Sequence, residues 1–245
     1  MAMQQLFIVT GASRGLGRAV AEHLLQPGHL VLGISRHAPP APPGLEQWPC
    51  DLADPLPVAA RLQAWLEGFD ASRFSSAALI NNAALLAEPK PLREADPESL
   101  SASVRVGLEA PLLLTAAFLH ATRSWKADKR VLHVSSGLGR RAMASQVPYC
   151  AVKAALDHLA RAQALEEALL ENGAKVCSLA PGIIDTDMQV QLRGADPKGF
   201  PDHDAFVQMK AGDKLDSPAA AAAKVIGYLR RADFGGNPVG DVRDT

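Results

Sequence analysis

The chain has 245 residues, of which 48% are apolar and 21% charged, and its formal net charge is −1. This near-neutral balance argues against nucleic-acid and anionic-membrane partners, since those surfaces recruit a marked basic excess. The amino terminus shows no basic leader before a long apolar core, and the longest apolar run looks too short for a bilayer, so we expect a cytoplasmic protein with no membrane partner. Its three cysteines form no CxxC or Cys/His cluster, so we predict no metal site.

Short apolar runs rich in β-forming residues alternate with helical patterns along the chain. The runs predict strands at 5–10, 30–35, 45–52, 77–83, 130–136 and 175–181, with a seventh near 237–241. The helical patterns follow the first strand through Leu25 and then cover 56–69, 97–121 in two pieces, 147–171 and 218–230. Because the strand sequences are apolar rather than alternating, they indicate a parallel sheet covered on both faces. We therefore predict one α/β domain over 1–245, a Rossmann-like, doubly wound parallel sheet of about seven strands with helices on both faces.

The first turn, TGASRGLG, places Gly11, Gly15 and Gly17 between a predicted strand and a predicted helix. Glycines there let the backbone approach a phosphate, while the free N–H groups and positive dipole end of the helix hold the anion. The spacing is GxxxGxG, which differs from the general GxGxxG fingerprint. The context favours a dinucleotide phosphate site, and ordinary turn glycines are the alternative.

Two arginines favour NADP(H) over NAD(H). Arg14 lies inside the glycine turn, and Arg36 follows Ser35 after the second strand, where a carboxylate would bind ribose hydroxyls and repel a 2′-phosphate. A guanidinium forms charge-assisted bidentate contacts with a phosphate. The alternative is that both arginines are solvated surface residues.

Two polar residues near strand ends have two interpretations each. Asp51 follows the third strand, where it could accept a hydrogen bond from an adenine amino group or stabilise the turn DLADP. Asn82 follows Asn81 at the end of the fourth strand. Its amide could bind a ligand at the carboxyl edge of the sheet, or it could simply end the strand.

The chemistry-bearing residues come later in the chain. Ser136 ends the fifth predicted strand, and Tyr149 and Lys153 stand at i and i+4 on a predicted helix, so both face the same way. A neighbouring ammonium favours a phenolate and lowers the pKa of a tyrosine. A serine hydroxyl and this phenol could hold the oxygen of a carbonyl and protonate it during reduction. Each alone could instead be a helix cap, a surface tyrosine or a solvated lysine.

The motifs TGASRGLG, CDL, NNAA, SS, YCAVK and APGIIDT resemble, in content and order, those of the classical short-chain dehydrogenases/reductases over essentially the whole chain. The resemblance implies that Ser136 holds the substrate oxygen, that Tyr149 exchanges the proton, and that Lys153 lowers the pKa of Tyr149 and binds the nicotinamide ribose. It implies homodimers or homotetramers and a cofactor site made of Gly11, Ser13, Arg14, Gly15, Leu16, Gly17, Arg36, Asp51, Leu52, Asn82, Tyr149, Lys153, Pro181, Gly182, Ile184 and Thr186. Thr186 could equally be a helix N-cap.

Two positions depart from the family pattern. Ala84 replaces the glycine of NNAG, and Gly107 takes the place of an asparagine when the alignment is anchored on Ala110 and Pro111. By the resemblance, that asparagine kinks the helix and helps to hold a water in a proton relay from the active-site lysine. Glycine also permits a distortion, and its carbonyl could bind the water. A glycine required only for packing is the alternative.

Residues 186–216 resemble the segment that covers the substrate in this family, and they carry Met188, Val190, Leu192, Phe200, Phe206 and Met209. Such side chains predict an apolar or aromatic carbonyl substrate. Leu85, Leu86 and Leu138 could extend this wall or pack in the core. PGIIDTDMQ and SSG…YC resemble the subgroup of sepiapterin and benzil reductases.

These observations lead to one function and one alternative. The expected function is NADPH-dependent reduction of a ketone, diketone or aldehyde to an alcohol, with Tyr149 as the proton donor. The alternative is an NADP(H)-binding sensor or scaffold with impaired catalysis, for which Gly107 and Ala84 are the only support.

Overall fold

Seven strands form one parallel sheet in the computed structural model, which describes residues 3–244. The strands are β1 (Gln4–Thr10), β2 (His29–Ser35), β3 (Leu45–Pro49), β4 (Phe74–Asn81), β5 (Asp128–Val134), β6 (Lys175–Ala180) and β7 (Val239–Asp241). Their order is β3-β2-β1-β4-β5-β6-β7, and every pair is parallel. The chain reverses direction across the sheet between β1 and β4, which is the switch point where open α/β sheets bind ligands.

The helices cover both faces of the sheet. They are α1 (Gly15–His23), α2 (Pro55–Glu67), α3 (Pro97–Val104), α4 (Ala110–Ala121), α5 (Val147–Glu167), α6 (Asp187–Arg193), α7 (His203–Ala211) and α8 (Pro218–Leu229). Successive residues of a strand point to opposite faces, so Ile8 packs in a core with α2 and α4 while Val9 packs in a core with α1 and α8. The predicted doubly wound α/β class is therefore confirmed.

Several predicted boundaries were wrong by two to four residues. The third strand was expected to reach residue 52 but ends at Pro49, which pairs with Ser35, the last residue of β2. The long helix was expected to reach residue 171 but ends at Glu167. The fifth strand ends at Val134 rather than at residue 136, so Ser135 and Ser136 extend beyond the edge of the sheet. Residues 1, 2 and 245 of the predicted domain lie outside the described residues.

One helical segment runs from Pro97 to Ala121 through a π-helical turn at Arg105–Glu109. By length and composition it could span a membrane, so the expectation that every apolar run is too short was wrong. Half of its most apolar window is buried inside the fold. Leu114 and Phe118 belong to the core that α4 shares with α2, which is what a core helix requires.

Candidate active site

A cleft of about 770 Å³ opens where the carboxyl ends of β1 to β6 meet. It brings together every residue that the sequence predicted for cofactor binding or catalysis: Gly11, Ser13, Arg14, Gly15, Leu16, Gly17, Arg36, Asp51, Leu52, Asn82, Ser136, Tyr149, Lys153, Pro181, Gly182, Ile184 and Thr186. Which of them contact a ligand stays a prediction.

The glycine turn has the geometry that an anion site needs. Gly11 and Gly15 have φ angles of +68° and +54°, which residues with a Cβ atom rarely adopt. A Cβ at Gly17 would overlap the Gly11 carbonyl oxygen and the Asn82 amide. Helix α1 also begins with no side-chain cap and no acidic residue in its first turn, so its first N–H groups remain available. The turn therefore fits a dinucleotide phosphate.

Asn82 and Asp51 each serve the fold as well as lining the cleft. The Asn82 N–H donates to Thr10 Oγ1 and its Nδ2 donates to the Thr10 carbonyl, both at 2.9 Å, which ties the end of β4 to β1. Asp51 Oδ1 accepts a hydrogen bond from the Ala53 N–H at 2.9 Å. The turn interpretation of Asp51 thus holds in this structure, and its exposed carboxylate still faces the cleft.

The two arginines differ in their surroundings. Arg14 forms an exposed ion pair with Asp187 at 2.7 Å, which links the glycine turn to the first residue of α6. Arg36 is exposed on the cleft wall and forms no ion pair with any residue in 3–244. Arg36 is consequently the guanidinium that a phosphate could reach without displacing a carboxylate.

Ser136 and Tyr149 come from different elements and meet in the cleft. Ser136 follows β5, and its Oγ accepts a hydrogen bond from the Leu138 N–H at 3.2 Å, so it also caps the short 3₁₀ turn Gly137–Gly139. Burial raises the pKa of Tyr149 to about 12, against the lowering effect of its hydrogen bond with Ser136. Burial therefore acts against the lowering of this pKa that was expected from Lys153.

Lys153 is 2% exposed, and its Nζ donates to the Val134 carbonyl oxygen at 2.6 Å. The same Nζ lies 5.4 Å from the centre of the Tyr149 ring. Burial lowers the pKa of Lys153 to about 8, and the charge of Asp157 opposes that shift. Lys153 is thus anchored at the end of β5, one helical turn from Tyr149.

Asp157 is a buried carboxylate that the sequence analysis missed. Its Oδ1 accepts hydrogen bonds from Ser135 Oγ at 2.6 Å and from Ser178 Oγ at 2.7 Å, and its Oδ2 lies 3.4 Å from Arg140 Nε. It therefore joins β6, the residue after the end of β5 and the segment that follows Ser136. Its place four residues after Lys153, on the same helical face, was the available signal.

A second buried polar cluster lies deeper, along β4 and β5. Asn81 Nδ2 donates to Thr115 Oγ1 at 3.1 Å and lies 3.3 Å from His133 Nδ1, while His133 Nε2 lies 2.9 Å from Gln163 Oε1. Burial lowers the pKa of His133 to about 4, against the hydrogen bond with Gln163. The imidazole is thus held neutral inside the fold.

The glycine at the family's asparagine position lies in the π-helical turn. Gly107 is buried, and a Cβ placed on it would lie 2.6 Å from Val152 Cγ1. The expected helix distortion is present, and close packing against α5 supplies a second reason for glycine. Since Val152 directly precedes Lys153, this contact bears on the position of the catalytic helix. The relay water stays a prediction.

The wall opposite the catalytic residues is largely apolar. Its predicted members Leu85, Leu86, Leu138, Met188, Leu192, Phe206 and Met209 line the cleft. Val190 is instead exposed, and Phe200 is fully buried in a small core with Leu192 and Phe206. The structure adds Arg141, Met143 and Gln146 to the lining.

A doubly wound sheet with a glycine-rich first turn and a Ser–Tyr–Lys set at its carboxyl edge defines a nucleotide-dependent oxidoreductase architecture. The model of the short chain dehydrogenase family matches residues 5–196, and the chain belongs to that family. A benzil reductase ((S)-benzoin forming) of Bacillus cereus is 34% identical over 243 residues, covering 96% of each chain. The sepiapterin reductase of Xenopus laevis is 32% identical over 201 residues, covering 75% of this chain and 74% of that protein.

A solved structure supports the same assignment. The short-chain dehydrogenase/reductase from Burkholderia vietnamiensis is 35% identical, with a TM-score of 0.65 over 99% of this chain and all of that one. Family and subgroup resemblance, as predicted from the motifs, are therefore confirmed.

Proposed function

We propose that this protein reduces a ketone, diketone or aldehyde to an alcohol with NADPH as the hydride donor. The observation that carries the proposal is the convergence of Ser136, Tyr149 and Lys153 on one cleft that also contains the glycine turn. The similarity to a benzil reductase along nearly the whole chain favours carbonyl reduction over other chemistry.

The chain's own residues supply the proton and hold the oxygen. With its pKa raised to about 12 by burial, Tyr149 is protonated at neutral pH and can donate to a substrate oxygen. Ser136, which lines the same cleft as Tyr149 and acts to lower its pKa, holds that oxygen as negative charge develops on it. Lys153, fixed by the Val134 carbonyl, keeps a cation beside the phenol. Bound NADPH would supply the hydride.

The preference for NADP(H) rests on Arg36 and Arg14. Arg36 faces the cleft after β2 and is free of ion pairs within 3–244, so its guanidinium suits a 2′-phosphate. Arg14 would reach the same phosphate by exchanging its ion pair with Asp187. The apolar wall opposite Tyr149 favours an apolar or aromatic substrate.

The sensor alternative has no support beyond Gly107 and Ala84. Gly107 sits in a distorted helix turn that leaves Ser136, Tyr149 and Lys153 together, and Ala84 lines the cleft. We further propose a cytoplasmic homodimer or homotetramer, with the family resemblance and the near-neutral charge as support. Sedimentation of the purified protein tests the oligomeric state, and a monomer would contradict it.

The function is tested by following NADPH absorbance with a panel of vicinal diketones, monoketones and aldehydes. We expect oxidation of NADPH that depends on at least one carbonyl, with one alcohol formed for each NADPH consumed. Tight binding of NADPH without turnover of any carbonyl would contradict the proposal and would favour the sensor.

A further inference from the structure

The turn that follows Ser136 is attached at both of its ends to one buried carboxylate. Before the turn, Ser135 Oγ donates a hydrogen bond to Asp157 Oδ1 at 2.6 Å. After the turn, Arg140 Nε lies 3.4 Å from Asp157 Oδ2, and the Asp157 side chain is only 3% exposed. Oδ2 accepts no hydrogen bond within residues 3–244. A buried carboxylate oxygen without a donor is unfavourable, and the facing guanidinium offsets part of that cost.

The same turn lies directly against the helix that carries Lys153. A Cβ placed on Gly139 would lie 2.8 Å from Asp157 Oδ2 and 2.9 Å from the Lys153 carbonyl oxygen. Within the turn, the Gly139 N–H donates to the Ser136 carbonyl at 2.9 Å. The Leu138 N–H donates to Ser136 Oγ at 3.2 Å. Because these bonds join the turn to the serine, a displacement of the turn would move Ser136 as well.

Arg140 also attaches the turn to β7. Its Nη2 donates to the Gly240 carbonyl oxygen at 2.7 Å, and its Nη1 lies 4.0 Å from Asp241 Oδ2. The Arg140 side chain is half-buried between these partners and α5. Within residues 3–244 the lining of the cleft includes Ser136 but not Arg140. The guanidinium therefore bridges α5 and β7 from outside the space where the reaction takes place.

We propose that Arg140 is a positioning residue, which holds Ser136 Oγ where the substrate oxygen binds. The inference rests on the proposed function, since it assumes that Ser136 holds that oxygen during carbonyl reduction. Arg140 fixes the turn between Asp157 and β7, and the turn fixes the serine. A donor stabilises a developing oxyanion only when it is held at hydrogen-bond distance from it, so release of the turn should lower kcat.

The test is a double-mutant cycle between Arg140 and Ser136, measured as kcat for NADPH oxidation with the best carbonyl substrate. Arg140→Met should lower kcat about tenfold or more and leave NADPH affinity unchanged, because the turn loses its attachment to Asp157 and Gly240. Ser136→Ala removes the hydroxyl itself and should lower kcat about a hundredfold. In the Ser136→Ala background, Arg140→Met should lower kcat less than about twofold further, since no hydroxyl remains to be positioned.

Arg130 is the matched control, because it makes similar contacts near the amino end of β5, whereas Arg140 follows the carboxyl end. Its guanidinium donates to the carbonyls of Leu229 and Arg231 and pairs with Asp128 at 2.7 Å. Arg130→Met should lower the temperature of thermal unfolding, as Arg140→Met does, and should keep the wild-type kcat. A loss of kcat in Arg130→Met equal to that in Arg140→Met would overturn the inference, because reduced stability alone would then explain both.

Arg140→Lys keeps a charge beside Asp157 but loses the planar fork that reaches two partners at once. It should retain more of the wild-type kcat than Arg140→Met does, and it takes the place of Arg140→Met in the cycle if that variant does not fold. An equal fold-loss of kcat in the wild-type and Ser136→Ala backgrounds would overturn the role of Arg140 and leave carbonyl reduction intact. So would a wild-type kcat in folded Arg140→Met. A wild-type protein that reduces no carbonyl would overturn the proposed function and the inference together.

Discussion

The two walls of the cleft are built in different ways. On the catalytic wall, buried groups bind one another: Lys153 donates to Val134, and Asp157 accepts from Ser135 and Ser178. The covering wall, residues 186–216, has its own small core around Leu192, Phe200 and Phe206. Exposed ion pairs attach it to the rest of the chain, including Arg14 with Asp187 and Lys210 with Asp185.

The difference assigns separate roles to the two walls. Exposed ion pairs contribute about 0–1 kcal/mol each, so these pairs restrain movement of the covering wall relative to the sheet only weakly. Buried hydrogen-bonded charges permit no such movement, because an unpaired partner is expensive. We infer that the catalytic wall fixes the chemistry and that the covering wall adjusts to the substrate. Substitutions in the catalytic wall should therefore lower kcat and stability, whereas substitutions in the covering wall should mainly raise KM.

The largest loss of stability on the catalytic wall is expected from Asp157→Ala. It leaves the hydroxyls of Ser135 and Ser178 without their acceptor, so the free energy of unfolding should fall by about 3 kcal/mol in urea titrations. Asp157→Asn retains an acceptor oxygen, so its free energy of unfolding should fall less than that of Asp157→Ala. Since Asp157 raises the pKa of Lys153, both variants should shift the alkaline limb of the kcat/KM profile to lower pH. An unshifted limb would contradict this role; the exposed Glu166→Gln on the same helix is the control.

Acid should weaken the fold behind this wall through His133. Its pKa is lowered to about 4 from 6.5, so between these values the unfolded chain binds more protons and stability falls as the pH falls. Protonation of His133 should lower the free energy of unfolding by about 3 kcal/mol over this pH range. Urea titrations at several pH values should show a smaller acid loss in His133→Gln than in wild type. His158→Gln, at an exposed position, should lose as much stability in acid as wild type does. If the free energy of unfolding falls with pH equally in all three proteins, the prediction is contradicted.

A smaller effect is expected where the two helices of the catalytic wall touch. In Gly107→Asn the new Cβ would crowd Val152 Cγ1, so the Val152 side chain or α5 itself must shift, and both stability and kcat should fall. The stability loss should be about 1–2 kcal/mol by thermal unfolding, as for other overpacked sites. Adding Val152→Ala should restore most of it. If the double variant is no better than Gly107→Asn alone, the contact does not explain the glycine.

The smallest expected effect concerns cofactor choice at the exposed end of the cleft. Arg36→Asp removes the unpaired guanidinium and introduces repulsion, so the ratio of kcat/KM for NADPH over NADH should fall by about tenfold or more. Stability should change little because Arg36 is exposed. The exposed Arg161→Asp, on α5 and not in the lining of the cleft, should keep the wild-type ratio. An unchanged ratio in Arg36→Asp would show that this residue does not bind the 2′-phosphate.

Features set by local patterns could be predicted from the sequence. The central strands appeared as apolar runs because both faces of the sheet are covered there, and the spacing of Tyr149 and Lys153 placed them on one helix face. The glycine turn was recognisable because its geometry depends on neighbouring residues.

What could not be predicted depends on contacts between distant parts of the chain. Val152 meets Gly107 only because α5 packs beside the π-helical turn, and Asp157 finds its partners on two strands. The pKa of Tyr149 depends on how deeply the folded chain encloses it, which no spacing reveals.

The central claim is that Tyr149 donates the proton from a rigid catalytic wall, and Tyr149→Phe tests it most directly. The measurement is NADPH oxidation with the best carbonyl substrate, together with NADPH affinity, for wild type and variant. We predict that kcat falls by about a thousandfold while NADPH still binds, as for loss of a positioned general acid. A Tyr149→Phe protein that reduces the carbonyl at the wild-type rate would contradict the account.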